Sequence, residues 1–175
     1  MPKTLNILVT GTKGQVGSEI KELSSSYDYN FFFTSRNTLD ISNEENIKTF
    51  VELNNINVII NCAAYTAFDK AEEEKEEADK INRKAVKKLA KISKDYDMKL
   101  IHISTDYVFD GRNYKPYIEE NKTNPNSVYG KTKLGGEQEM IKMNPNNSII
   151  IRTSWVYSSF GNNFVKTMLK LGKIK

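Results

Sequence analysis

Five short apolar runs punctuate the chain, at Asn6–Thr10, Phe31–Thr34, Val58–Asn61, Leu100–Ser104 and Ser148–Arg152. Each is apolar almost throughout instead of alternating, which is the pattern of strands covered on both faces. Between them lie segments with helical spacing: Gln15–Leu23, Glu44–Leu53, a stretch within Lys70–Tyr96, and Tyr129–Met143. A further one, Asn163–Leu171, follows the last run. Within the third segment Ile81, Ala85, Leu89 and Ile92 recur at helical spacing, while Lys and Arg take the opposite side. Strands alternating with helices make βαβ units with right-handed crossovers. The predicted fold is therefore α/β, a doubly wound parallel sheet with helices on both faces.

Composition narrows the function classes. The 175 residues suit a single domain, and 38% hydrophobic with 27% charged is close to the globular average. Lys and Arg number 26 against 22 Asp and Glu, a net +4 with no clustered basic face, so no nucleic-acid partner is expected. The acidic run from Glu72 to Glu77 reads as a solvated helix face. One cysteine, Cys62, and one histidine, His102, leave no disulfide scaffold and no Cys/His zinc site, and no metal is assigned. Cys62 reads as a small buried hydrophobe and His102 as a core histidine. No stretch approaches the roughly 20 apolar residues that span a bilayer, and Ile7-Leu8-Val9 is too short for a signal-peptide core. The expectation is a cytoplasmic protein with no membrane partner. After Asn163–Leu171 no further strand follows, whereas doubly wound dinucleotide folds continue, so the sequence reads as a truncated chain.

The first run leads into Gly11-Thr12-Lys13-Gly14-Gln15-Val16-Gly17 and then a helix. G-x-x-G-x-x-G at a strand–helix junction lets backbone N–H groups approach a pyrophosphate, and the last glycine lets helix and strand pack closely. The helix N-terminus adds partial positive charge. A dinucleotide is the expected ligand, held by Gly11, Gly14, Gln15, Val16 and Gly17. The second run ends in Thr34-Ser35-Arg36 with no carboxylate to select NAD. Arg36 facing a 2′-phosphate favours NADPH, with NADH and a surface arginine as the alternatives. Asp40 and Ile41, in the next loop, are placed at the adenine.

The fourth run ends in Ser104-Thr105-Asp106-Tyr107, and Tyr129-Gly130-Lys131-Thr132-Lys133 opens a helix. In Y-x-x-x-K the two side chains share a helix face. The Lys133 ammonium, with the positive nicotinamide of an oxidised cofactor, is therefore expected to favour the Tyr129 phenolate and draw its pKa down from about 10. The hydroxyl of Thr105, at the carboxyl edge of the sheet, is the expected holder of a substrate oxygen. Thr105, Tyr129 and Lys133 together give the order of a short-chain dehydrogenase.

Several longer strings carry a closer resemblance: Asn61 to Glu72 (NCAAYTAFDKAE), Ser104 to Gly111 (STDYVFDG), Val128 to Glu137 (VYGKTKLGGE), Arg152 to Tyr157 (RTSWVY) and Gly161 to Phe164 (GNNF). With the glycine loop they resemble the dTDP-4-dehydrorhamnose reductases of the extended short-chain dehydrogenase/reductase superfamily, from Asn6 to about Leu171. The resemblance implies a Rossmann fold and NAD(P)H-dependent reduction of the 4-keto group of dTDP-4-dehydro-L-rhamnose. It further implies Tyr129 as general acid, Lys133 as its partner and ribose ligand, and Thr105 as the group orienting the ketone. Ala63, Ala64 and Tyr65 would wall the cofactor cleft, while Tyr107 and Trp155 would touch a nucleotide-sugar substrate. Glu19 resembles a magnesium ligand between subunits of some members, so a homodimer and Mg2+ stay open, as does the role of Asn82. The family's carboxy-terminal substrate portion is largely absent. Competing readings are a non-catalytic nucleotide-binding relative and a reductase of another nucleotide-linked 4-keto sugar.

Overall fold

A computed structural model of the chain describes residues 4–173. Five parallel strands lie in the order β2-β1-β3-β4-β5, with β1 at Asn6–Thr10, β2 at Asn30–Phe33, β3 at Val58–Asn61, β4 at Lys99–Thr105 and β5 at Ser148–Thr153. The chain runs outward from β1 to β2, then returns past β1 to continue as β3, β4 and β5. The reversal falls between β1 and β3, where the loops leaving neighbouring strand ends part and open a crevice.

Helices α1 (Gln15–Leu23), α2 (Glu44–Asn54), α3 (Phe68–Ala71), α4 (Lys75–Asp79), α5 (Ala85–Asp95), α6 (Val128–Met143) and α7 (Phe164–Gly172) connect the strands. Local chemistry fixes the ends of several. Asn43 caps α2 by accepting from the Asn46 N–H at 3.2 Å, and Asn55 ends it in the left-handed region at φ 49°. Ser127 caps α6 by accepting from the Gly130 N–H at 3.1 Å. The helical stretch expected within Lys70–Tyr96 runs without a gap from Lys75 to Asp95, with a π-helical turn at Lys80–Lys84 joining α4 to α5.

The two faces of the sheet are unequal. On one, Leu8, Ile59 and Leu100 pack against Ile47 and Val51 of α2, Val86 and Leu89 of α5 and Met140 of α6. Burying one such side chain contributes about 1.5–3 kcal/mol, so this layer dominates the fold. The other face holds a smaller cluster, Ile7, Val9 and Val58 beneath Ile20 of α1. Helices thus lie on both faces, yet β5 departs from the expected two-sided burial: Ile149 and Ile151 are 52% and 44% exposed. Their apolarity says they can be covered; nothing among the described residues covers them.

Candidate active site

The crevice at the carboxyl ends of the strands consists of two adjoining hollows that meet at the glycine loop. One, of about 620 Å³, takes in Gly14, Gln15, Val16, Ala64, Thr105, Tyr107, Tyr129, Lys133 and Trp155. The other, of about 300 Å³, takes in Gly11, Gly14, Arg36, Asp40, Ile41, Ala63, Ala64 and Tyr65. Residues singled out from separate stretches of sequence therefore share one crevice. Gly17 lines neither hollow. A Cβ there would stand 2.6 Å from the Gly11 carbonyl oxygen, so its lack of a side chain serves the seating of α1 on the loop.

Gly11 sits at φ +70°, and a Cβ on it would lie 2.5 Å from the Ala63 nitrogen. The loops after β1 and β3 touch backbone to backbone at the switch point. Helix α1 starts at Gly14 with no side-chain cap and no acidic residue in its first turn. Asn43, Ser127 and Asn163, by contrast, each cap a helix with a side-chain oxygen. The first turn of α1 thus turns unpaired N–H groups and a positive dipole end into the crevice, which suits an anion.

At the smaller hollow, Asp40 accepts from the Ser42 N–H at 2.8 Å, and that bond holds its carboxyl below the usual value. Arg36 lines the hollow, but its guanidinium is paired with Glu77 at 2.9 Å on an exposed surface. Ile41 is buried. Tyr65 is fixed through its backbone, its N–H donating to Asn82 Oδ1 at 2.9 Å and its carbonyl accepting from Asn82 Nδ2 at 3.1 Å. The same Asn82 amide donates to Thr132 Oγ1 at 3.2 Å, so Asn82 ties the wall of the hollow to α6. Cys62 lies at the junction of the hollows, and burial pushes its thiol up to about 12, so it stays neutral.

In the larger hollow, Thr105 ends β4 and caps the turn Asp106–Val108 by accepting from the Tyr107 N–H at 3.2 Å, while its hydroxyl donates to Asp106 Oδ1 at 3.2 Å. Tyr129 opens α6. Its ring stands edge-on to Tyr107 and Phe68, with centroids 5.9 and 6.0 Å away. Phe68 belongs to this aromatic group although its position in sequence gave no sign of it. Trp155 adopts φ 52° and is 74% exposed, so it is not a core aromatic; its indole stands against Phe164 at 5.1 Å.

The expected electrostatics of the Tyr129–Lys133 pair differ from what the structure shows. Burial raises the Tyr129 pKa, with Asp106 and Tyr107 adding to the rise and only the Thr105 hydroxyl opposing it. The Lys133 amine is almost wholly buried and is turned onto the sheet. It donates to the Ile103 carbonyl at 2.7 Å and lies 3.2 Å from His102 Nε2. Helical spacing put lysine and tyrosine on one face, but the amine's nearest partners come from β4. His102 is fully buried, as expected of a core histidine, with both ring nitrogens engaged. Among the described residues no three His, Cys, Asp or Glu side chains form a metal-holding group, and no helix is long and apolar enough to cross a membrane.

The family model described as RmlD substrate binding domain matches residues 5–175. A dTDP-4-dehydrorhamnose reductase of Sinorhizobium fredii is 42% identical over 167 residues, which are 95% of this chain and 56% of that protein. Two solved structures are also similar. The dTDP-4-dehydrorhamnose reductase of Clostridium acetobutylicum has a TM-score of 0.93 and 44% identity, over 97% of this chain and 60% of that one. That of Bacillus anthracis, solved in complex with NADP, has a TM-score of 0.94 and 38% identity, over 99% and 61%. The chain thus spans little more than half the length of the relatives it matches.

Proposed function

Because the chain belongs to the dTDP-4-dehydrorhamnose reductase family, we propose that it is the dinucleotide-binding and catalytic part of an NADPH-dependent reductase. The substrate of that reductase is the 4-keto group of dTDP-4-dehydro-L-rhamnose, and the product is dTDP-L-rhamnose. The observation that carries the reading is the juxtaposition, in one crevice at the switch point, of the uncapped glycine-loop helix with Thr105 and Tyr129. Similarity to a reductase solved with NADP supports the cofactor.

The residues fit such a cofactor. Gly11, Gly14, Gln15 and Val16 would hold the pyrophosphate on the first turn of α1. Ala63, Ala64 and Tyr65 would wall the cleft, with Asp40 and Ile41 at the adenine. Arg36 would reach a 2′-phosphate by exchanging one anion, Glu77, for another. Lys133 would serve the ribose. A reduced nicotinamide bound there supplies the hydride.

The chain itself supplies the proton and the orientation. Tyr129 keeps its proton at neutral pH because burial disfavours the phenolate. A general acid must start protonated, so the raised value suits reduction, in which the phenol donates to the developing alkoxide. Thr105 Oγ1 would orient the keto oxygen by turning onto it the proton that it otherwise donates to Asp106. Tyr107 and Trp155 offer exposed aromatic surface to the sugar ring.

The test pairs Tyr129→Phe with the unaltered chain in two assays, NADPH binding by fluorescence and NADPH oxidation with dTDP-4-dehydro-L-rhamnose. Binding should be unchanged while turnover falls by about 10²–10⁴-fold, the usual worth of a placed acid. Retained turnover would remove Tyr129 as the acid, and failure of the unaltered chain to bind NADPH would end the reading.

A further inference from the structure

The segment after β5 returns to the glycine loop through one side chain. Helix α7 buries none of its residues, and Phe164, Met168, Leu169 and Leu171 are all exposed. A nine-residue helix without packing is marginal, so what holds its ends decides where it sits. Asn163 caps its N-terminus, with Oδ1 accepting from the Lys166 N–H at 3.0 Å. Asn163 Nδ2 donates to the Ser158 carbonyl at 2.9 Å and to Gln15 Oε1 at 3.0 Å. Among the described residues, the bond to Gln15 is the one hydrogen bond between residues 157–173 and the rest of the chain. Lys166 stiffens the turn that carries Asn163 by donating to the carbonyls of Ser159 at 2.6 Å and Gly161 at 2.8 Å. That turn lies close on Gln15: a Cβ on Gly161, at φ +62°, would stand 3.3 Å from Gln15 Cγ.

Two backbone groups fix the direction of these bonds. The Lys166 N–H can only donate and the Ser158 carbonyl can only accept. The Asn163 amide therefore has one orientation, with its oxygen on the helix and its NH2 on Ser158. The remaining N–H of that NH2 meets Gln15 and needs an acceptor, so the Gln15 amide turns its oxygen to Asn163. Gln15 is left with its own NH2, which has no partner among the described residues, and its side chain lines the larger hollow beside Gly14 and Val16. The uncapped first turn of α1 turns its N–H groups to the same place. An anion seated there is served by further donors and opposed by a carbonyl oxygen.

We propose that Asn163 is a positioning residue for the anion site of the glycine loop: by taking up the Gln15 oxygen it presents the Gln15 NH2 to the cofactor's phosphate groups. The proposal rests on the NADPH reading above and adds to it a residue outside the glycine motif, 148 positions from Gln15. Without that partner the Gln15 amide is free to turn either end to the phosphates, and one of its two orientations opposes them. Asn163 also starts the helix that sets Phe164 against Trp155, with ring centroids 5.1 Å apart. The Gln15–Asn163 bond thus ties the phosphate loop to the segment that holds the indole at the same hollow.

Solvent exchange of the side-chain NH2 groups, followed by 1H–15N NMR in the cofactor-free chain, reads the orientation directly. The two signals are assigned by their loss in Asn163→Asp and Gln15→Glu. In the unaltered chain the Asn163 NH2 should exchange slowly and the Gln15 NH2 as fast as a free amide. In Asn163→Asp the carboxylate keeps the cap on α7 but cannot donate, so Gln15 should turn over and its NH2 should become slow. Asn163→Ser keeps the cap without adding charge and lacks the NH2 that holds Gln15. Its NADPH dissociation constant should rise about 3–10-fold, short of the full loss of a hydrogen bond to a charged group, with far-ultraviolet circular dichroism unchanged. Gln15→Glu, which still accepts from Asn163 but offers the phosphates only oxygen, should weaken NADPH more than Asn163→Ser while the Asn163 NH2 stays slow. A slow Gln15 NH2 or a fast Asn163 NH2 in the unaltered chain, or unchanged NADPH binding in Asn163→Ser, would overturn the proposal. Should Asn163→Asp fail to fold, the unaltered chain and Asn163→Ser still decide it. Both exchange rates as expected in an unaltered chain that binds no NADPH would count against the cofactor reading and uphold the orientation that Asn163 imposes on Gln15.

Discussion

Replacing Gly11 by alanine tests whether the contact between the β1 and β3 loops is as tight as its geometry requires. Two costs are separable. At φ +70° an L-residue is strained by about 1–2 kcal/mol. The added methyl would also stand 2.5 Å from the Ala63 nitrogen and 2.7 Å from its Cα. These are backbone atoms that cannot rotate away, so the clash should add about 1–3 kcal/mol, the usual cost of overpacking. Gly111 supplies the control, since it has φ +73° and nothing within 4 Å of a built Cβ. Alanine's reduced unfolded-state freedom offsets about 0.4–1 kcal/mol at both sites and cancels in the comparison. Gly111→Ala should therefore cost about 1 kcal/mol and Gly11→Ala about 1–3 kcal/mol more. Against a total stability of about 5–15 kcal/mol that margin is easily measured. Urea unfolding should be followed by far-ultraviolet circular dichroism, because Trp155 is 74% exposed and its emission would report unfolding poorly. Equal costs at the two sites would refute the close approach, and with it the geometry of the switch point.

Two further outcomes follow from the buried polar groups. Glu137→Gln leaves the Arg152 guanidinium, held at 2.6 Å and a quarter exposed, without its anion; it should cost about 2–3 kcal/mol in urea unfolding, below the range for fully buried pairs. It should also lower the Lys133 midpoint, because Glu137 raises it. His102 gives a pH dependence of definite sign. Its folded pKa lies well below 6.5, so below that pH the unfolded chain binds a proton that the folded chain does not, and stability falls as the pH falls. Between pH 6.5 and 5 the unaltered chain should lose up to about 2 kcal/mol more than His102→Gln, at about 1.4 kcal/mol per pH unit. Parallel pH–stability curves for the two would contradict the neutral buried imidazole.

The order of strands and helices was legible in the sequence because its signals are local. β1, β3 and α1 begin and end where the apolar runs and the glycines place them. β4 runs two residues beyond the apolar run taken together, from Lys99 to Thr105, since ladder bonds to β3 and β5 continue past the hydrophobic positions. The π turn at Lys80–Lys84 was not legible. Its residues include ordinary helix formers, and the partners of Asn82 within it, Tyr65 and Thr132, lie 17 and 50 positions away. The exposure of Ile149 and Ile151 was equally hidden, because apolarity states what a side chain can tolerate and not what lies over it.

For the site the same distinction has a chemical consequence. G-x-x-G-x-x-G and Y-x-x-x-K are local spacings, and each places its residues in the crevice. The charge state of those residues is set by partners far away in sequence. Lys133 meets Ile103 and His102 across 30 and 31 positions, and His102 meets Asn61 across 41. Only the parallel register brings them into line, so a reading confined to the helix missed that the Lys133 amine is turned onto β4. A core chosen for stability alone would place apolar side chains in that row, since burying an amine whose pKa falls from 10.5 to about 8 costs stability increasingly as the pH falls from 10.5 to about 8, and in full below that. Each polar member of the row is tolerable only because the next one satisfies it. The four side chains of the row, Thr10, Asn61, His102 and Lys133, therefore stand or fall together, and its two ends line the crevice, Thr10 at the smaller hollow and Lys133 at the larger.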